Sequence, residues 1–289
     1  PYQAHAMYSY GSTIYDSRQG TTLIAMPNLN LKWQKVYDNN WGIDFALGNF
    51  LTGRVDYYIQ NTSNLLTDIT LPPSNGFTTY RENMGEIQNK GVEIYLGYTP
   101  WRDNNTRSWI TFSVSAAHNK NTIKKIYDIF KKSNDDADAN FNKTFSSSDH
   151  QLTTEEINAI KTSLTKPATK YYEGCSMTAI WGVRSLGIDP MTGKELYLDK
   201  NGNPTFVWNS DDQAVVGDSN PKWHGTLSLS GGWHGWMFSL TASYKLGGDL
   251  YNSTLIDRVE NITGYGNLDK RVYDVWTNPG DVSMYRGVT

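Results

Sequence analysis

The scarcest residues narrow the chemistry first. One cysteine, Cys175, stands among 289 residues, so neither an internal disulfide nor a thiolate metal cluster can be assembled from this chain. The five histidines, His5, His118, His150, His224 and His234, lack ligand spacings such as His-x-x-x-His, and no metal or cofactor is expected. No nucleophile elbow, phosphate loop or zinc motif occurs, and no catalytic residue stands out. Lysine plus arginine number 26 against 29 aspartate plus glutamate, and without a basic patch nucleic acid is not an expected partner. Long apolar runs are absent too. No uncharged apolar run approaches the roughly 18 residues that a membrane-crossing helix needs, and only 38% of the residues are hydrophobic.

What is present is alternation. From Gly91, Val92, Ile94, Leu96 and Tyr98 share one strand face while Gly91, Glu93, Tyr95 and Gly97 share the other. Trp41, Ile43, Phe45 and Leu47 alternate with Gly42, Asp44 and Ala46. Gly53, Val55, Tyr57 and Ile59 then alternate with Arg54, Asp56, Tyr58 and Gln60. The pattern returns in Ile110 to Ala117, Thr226 to Ser230 and Phe238 to Tyr244. One face is aliphatic or aromatic, and the other is glycine, hydroxyl, amide or charge. A soluble sandwich would bury such an apolar face, whereas a membrane barrel would turn it to lipid around a wet lumen. With 19 Tyr, 10 Trp and 9 Phe, many near strand ends, interfacial aromatic girdles are expected in the barrel reading.

The connections favour the barrel. Linkers alternate short and long: 48–51, 61–89, 99–108, 120–222 and 232–235, followed by a tail from Gly247. Compact domains rarely hold structureless loops beyond about 12 to 15 residues. Outer-membrane barrels combine short periplasmic turns with long extracellular loops. The expected fold is therefore an all-β, antiparallel transmembrane β-barrel segment, with 120–222 as a long extracellular loop. Within that loop, Thr153-Thr154-Glu155-Glu156 precedes Ile157, Ile160 and Leu164 and predicts a capped amphipathic helix. Asn201-Gly202 predicts a type I′ hairpin between Leu196 and Val207. A calcium loop is the weaker reading there, because Asp199, Asn201 and Asn203 lack the later glutamate of an EF-hand. Asp135, Asp136 and Asp138 read as a solvated patch, with a bound cation as the other reading.

A set of landmarks runs along the chain in order. Asn28 to Lys35 reads NLNLKWQK, followed by Asp56-Tyr57-Tyr58, Leu71-Pro72-Pro73-Ser74 with Gly76-Phe77, and Glu82-Asn83-Met84-Gly85-Glu86 before Asn89-Lys90-Gly91-Val92-Glu93. Later come Tyr172-Glu173-Gly174, Trp181-Gly182, Gly187-Ile188-Asp189-Pro190 with Thr192-Gly193, Gly217-Asp218 with Asn220-Pro221-Lys222, Gly247-Gly248-Asp249, and Asp269-Lys270-Arg271 with Trp276. On these residues the chain resembles the C-terminal barrel part of a SusC/RagA-type TonB-dependent outer-membrane transporter of the Bacteroidetes group. The resemblance covers nearly all 289 residues. It implies active import of a large oligosaccharide or oligopeptide across the outer membrane, by a barrel of roughly 22 strands in a lipid bilayer. A SusD-like surface lipoprotein would cover the long loops, and TonB would act on a plug. About seven strands are counted, so the resemblance implies a segment lacking the plug, the TonB box and the closing strands.

Substrate contacts are the least determined. Flat aromatics with polar side chains suit sugars, and Tyr171, Tyr172, Trp181 and Arg184 lie close in sequence. Each could equally pack the loop against the barrel mouth. Two other readings remain: a secreted or surface-exposed β-domain that binds glycan, and a β-rich hydrolase, against which the missing paired-carboxylate site argues.

Overall fold

The computed structural model describes residues 4–15, 18–70, 76–77, 79–128, 130–132, 134–135, 170–259 and 267–286. Its fourteen strands, in chain order, are β1 (Met7–Tyr15), β2 (Arg18–Ala25), β3 (Lys35–Leu47), β4 (Leu51–Ser63), β5 (Leu66–Thr70), β6 (Thr79–Asn83), β7 (Gly85–Asp103) and β8 (Ser108–Ile126), then β9 (Ala179–Ile188), β10 (Glu195–Leu198), β11 (Pro204–Thr205), β12 (Gln213–Asp218), β13 (Trp223–Trp233) and β14 (Trp236–Leu246). The chain divides into two compact units, one of residues 1–131, 171–175 and 225–243, the other of 132–170, 176–224 and 244–289.

The main sheet has six strands in the order β14-β13-β8-β7-β4-β3. Each is bonded to its predecessor or successor among these six, so the sheet is a meander. β3, β4, β7 and β8 pair antiparallel in turn. Ser115 bonds Thr226 and Ser108 bonds His234, so β8 and β13 also run in opposite senses. The connections 48–50, 104–107 and 234–235 are short and lie at one end. The chain leaves the other end in long excursions, 64–84 and 127–222. This is the antiparallel, barrel-type architecture that the alternation predicts, seen as an open sheet.

Four details differ from the sequence reading. The sheet's strands overhang the apolar pattern: β7 and β8 each have 19 residues, and their ladder runs to Gly85 opposite Ile126, past Lys120. Antiparallel pairing needs only backbone groups, and here amides bond across strands beyond the apolar rows, Asn121 to Asn89 at 2.6 Å and Gln88 to Asn61 at 2.9 Å. Two hairpins, β1-β2 and β5-β6, occupy segments in which no strand was predicted. The six-stranded sheet falls one short of the seven strands counted, and eight shorter strands form three further sheets.

The fourth difference concerns turn type. At Asn201-Gly202 only the glycine has positive φ, +86°; Asn201 is not among the positive-φ residues. Gly202 N–H donates to the Asp199 carbonyl and Asp199 N–H to the Asn203 carbonyl. That is a three-residue loop with a left-handed glycine, not a type I′ turn, which needs φ above zero at both central positions. The type I′ pattern occurs instead at His234-Gly235, φ +46° and +88°, joining β13 to β14.

The second unit contains a smaller sheet ordered β11-β10-β9-β12. Ala179, Trp181 and Tyr197 are its buried apolar residues. No helix among the described residues is long and apolar enough to cross a membrane, which does not bear on crossing by strands. The predicted helix at Thr153 to Leu164, the Leu71-Pro72-Pro73-Ser74 turn, Asp136 and Asp138 lie outside the described residues.

Candidate functional site

Register turns single-strand alternation into surfaces. Ile43, Val55, Ile94 and Ala116 form one row across four strands, and Leu47, Leu51, Tyr98 and Phe112 form another. These rows stay open: Ile43 is 70% exposed and Leu240, on β14, 65%. From Trp41 to Leu47 the belt extends about 20 Å along the strand at roughly 3.3 Å per residue. Aromatics border it at both ends. Trp41 stacks on Tyr57 with ring centroids 5.9 Å apart at the end facing the long connections. Phe50, Trp101, Trp233 and Trp236 are exposed near the short turns. An apolar band this continuous is a surface awaiting an apolar medium.

The opposite face is polar and internally bonded. Hydroxyl pairs tie adjacent strands at Thr99–Thr111 (2.9 Å), Ser115–Thr226 (2.8 Å) and Ser228–Thr241 (3.1 Å). Arg54 Nε lies 2.8 Å from Asp44 and 3.4 Å from Asp56. The register sets Asp56 directly opposite Glu93.

The landmarks prove to be partners of one another. Asn28 and Asn83 are both buried. Asn28 Nδ2 donates to the Arg81 carbonyl (2.9 Å) and to Glu82 (2.8 Å). Asn83 Oδ1 accepts from Lys32 N–H, while its Nδ2 donates to the Lys32 and Asn64 carbonyls. The NLNLKWQK and ENMGE segments are thereby tied side chain to backbone. In the second unit, Asp218 N–H donates to the Asp249 carboxylate (3.0 Å) and Asp249 N–H returns a bond to the Asp218 carbonyl (2.8 Å). Trp276 Nε1 donates to the Pro190 carbonyl (2.9 Å), and its ring covers Gly193 so closely that a Cβ there would sit 2.4 Å from it. These pairings were not visible in the sequence, where the landmarks lie 30 to 90 residues apart; buried asparagine was the available signal.

Carboxylates in the loops are held low by local bonds. The hydroxyl of Thr192 lowers Asp189 and that of Thr277 lowers Asp281. Backbone N–H of Asn203 lowers Asp199. The Asp199 carboxylate thus organises its own turn. Among the described residues, no three His, Cys, Asp or Glu side chains are grouped to hold a metal.

The four proposed substrate residues divide between the two units. Tyr171 and Tyr172, half-buried, belong to the unit of the main sheet, and Trp181 and Arg184 to the other. Trp181 is buried on β9 and Arg184 exposed. Alternation directs those two to opposite faces of β9. Next to Tyr172, Glu173 accepts from Ile126 N–H (3.2 Å) and pairs with Lys131 (3.6 Å), so this stretch is fastened to the end of β8.

Comparison with known proteins agrees with these surfaces. No protein-family profile matches the chain. TonB-dependent receptor P39 of Formosa agariphila is 23% identical over 98% of this chain and 29% of its own length. TonB-dependent receptor P3 of the same organism is 26% identical over 96% of this chain and 27% of its own length. TonB-dependent receptor SusC of Bacteroides thetaiotaomicron is 28% identical over 41% of this chain and 12% of its own. Among solved structures, one titled as the RagAB peptide transporter superposes over 99% of this chain and 29% of its own, with TM-score 0.69 at 21% identity. The chain therefore spans less than a third of the length of these curated relatives. In sequence the chain is similar to parts of TonB-dependent receptors, SusC among them, and its fold is the barrel-type fold of the RagAB structure.

Proposed function

We propose that this chain forms part of the wall of an outer-membrane, TonB-dependent importer of a large nutrient, an oligosaccharide or an oligopeptide. The observation that carries the reading is the exposed apolar belt, in register across the main sheet and bordered by aromatics, with a bonded polar face behind it. Lipid is the medium such a belt fits, and a wet lumen suits the other face. The short turns would be periplasmic and the long excursion from Tyr127 to Lys222 extracellular. In this reading the protein moves cargo and catalyses no reaction. A SusD-like surface lipoprotein would cover the long loops, and TonB would pull on a plug contributed by the rest of the protein. Tyr171, Tyr172, Trp181 and Arg184 stay proposed cargo contacts.

The test uses the full-length protein in its native membrane. Single cysteines at Ile94 and Phe112 should react with lipid-soluble probes, and one at Glu93 with water-soluble probes; the reverse pattern would reject the orientation. An epitope near Ser147 should be reached on intact cells unless a partner shields it. Copurification with a surface lipoprotein, and loss of import when its gene is deleted, is the expected outcome for the partner. Undiminished import would leave a receptor that works without a lid.

A further inference from the structure

Two lysines stand directly opposite one another where the apolar belt ends toward the long connections. The last aromatic row of the belt is Trp41, Tyr57, Val92 and His118. The next row on the same face is Asn39, Ile59, Lys90 and Lys120. Lys90 lies two positions from Val92, so it shares the parity of the apolar rows and not that of Glu93. From Leu47 to Asn39, β3 covers roughly 26 Å at 3.3 Å per residue, about the height of the apolar band in outer-membrane barrels. The lysine row therefore falls at the edge of that band, one row past the Trp41–Tyr57 stack.

Like charges directly opposite in a sheet, with Cβ atoms about 4.5 to 5.5 Å apart, are unfavourable. Both lysines are exposed, and neither has an ion-pair partner among the described residues. The carboxylates of these strands do not compensate them. Asp38, Asp44, Asp56 and Glu93 have the opposite parity and belong to the polar face, where Arg54 pairs with Asp44 and Asp56. Glu86 shares the parity of Lys90 but lies four positions along β7, roughly 13 Å away. Gln88, between them, is neutral and bonded to Asn61. The outward face thus presents two uncompensated ammonium groups on long apolar stems, side by side at the rim of the belt.

We infer that the Lys90–Lys120 pair holds the phosphate of an anionic lipid in the outer leaflet. The inference rests on the importer reading, which turns this face to lipid, and adds a site to it. A phosphate carries negative charge and several acceptor oxygens, so one group can accept from both ammoniums and offset their repulsion. The lysine stems suit the boundary, where an apolar chain can lie against lipid while its charged head reaches the headgroups. Ile59 and the exposed rings of Trp41 and Tyr57 would meet the acyl chains of the same lipid. A lysine reaching only for water needs no neighbour of its own sign; two in register place their charge at the depth where lipid phosphates supply the opposite one.

The experiment titrates the complete, purified transporter in phosphatidylcholine nanodiscs with bisphosphorylated lipid A, and in parallel with phosphate-free lipid A and with inorganic phosphate. Bound lipid is counted by native mass spectrometry of the protein released from the discs. Lys90→Gln and Lys120→Gln are each expected to weaken binding of the phosphorylated lipid about fivefold, and the double variant about twenty- to thirtyfold. Lys90→Arg combined with Lys120→Arg should bind as the parent does, because both charges survive. Lys200→Gln, which removes one charge in the loop between β10 and β11, should leave binding unchanged. Heat-modifiable migration on gels reports the folding of each variant, and the single variants carry the test if the double one misfolds. Equal binding by the parent and the glutamine variants overturns the site, as does equal binding of phosphate-free lipid A. Inorganic phosphate bound as tightly as the lipid overturns the lipid assignment. Any of these results in a protein that still inserts and imports leaves the importer reading standing. Failure of the parent protein to locate to the outer membrane removes both.

Discussion

The middle of the main sheet and its long-connection end are built on opposite terms. In the middle, alternation alone decides the structure. Apolar rows face outward, exposed, and the strands are held by the backbone ladder and a few hydroxyl pairs. At the other end the apolar residues turn inward: Met84, Ile87, Ile123, Ile126 and Phe130 are buried. Buried asparagines there stitch segments over fifty residues apart. The middle depends on its surroundings and the end on itself. A sheet whose apolar face is left exposed builds no interior of its own, while excursions that long must be anchored where they leave the sheet.

Substitutions can break this contrast, and the largest effect is expected at the self-contained end. Asn83→Ala removes an amide bonded to Lys32 N–H and to the Lys32 and Asn64 carbonyls. With part of that loss taken up by water, the cost should be about 3 to 4 kcal/mol, at 1 to 3 kcal/mol per orphaned group. Thermal unfolding of the full-length protein would show it in detergent and in lipid alike.

In the middle, the solvent should matter. Ile94→Arg is expected to cost about 2 to 4 kcal/mol in lipid near the midplane, and Glu93→Gln far less. Folding equilibria in vesicles measure both. Equal effects at the two positions would erase the distinction between the faces.

A smaller effect tests packing within the belt. The Phe45 ring lies on Gly53, where a Cβ would be 2.1 Å from it. Gly53→Ala must push the ring aside, at about 1 to 2 kcal/mol. Adding Phe45→Ala should remove most of that increment, and a double-mutant cycle in vesicles reads the coupling.

The smallest effect is in the β5-β6 hairpin. Arg81 Nε bonds Asp68 at 2.7 Å, and this hydrogen bond holds the Asp68 carboxyl below its ordinary range. With the folded pKa depressed, the stabilisation is present above the unfolded value of about 3.9 and is lost as pH falls through the folded one. Both side chains are over a third exposed, so no more than about 1 kcal/mol is expected. Amide exchange in the hairpin, compared between Asp68→Asn and the parent across pH 2 to 5, tests the sign.

Much of this was legible in residues and some was not. Ile94 and Glu93 announce their faces because a strand's side-chain period is two, whatever surrounds it. The overhang of β7 and β8 was hidden because Gln88, Asn89 and Asn121 break the apolar pattern while keeping the ladder. Turn type at Asn201-Gly202 was misread because the Asp199 side chain, bonding Asn201 and Asn203 N–H, selects a different loop from the one the dipeptide favours alone. The proposed cargo residues shared a stretch of sequence, but Trp181 and Arg184 diverge on one strand, a matter of parity that proximity in sequence conceals.

By itself the sequence determined that the chain is built of antiparallel strands with one apolar and one polar face, short turns at one end and long excursions at the other. Those properties follow from local periodicity and from turn residues, which need no partner to be read. Only the tertiary structure decided which residues share a row, that Asp56 meets Glu93, and that the landmarks bind one another. Each of those depends on register between distant strands, and a slip of one residue would exchange every face.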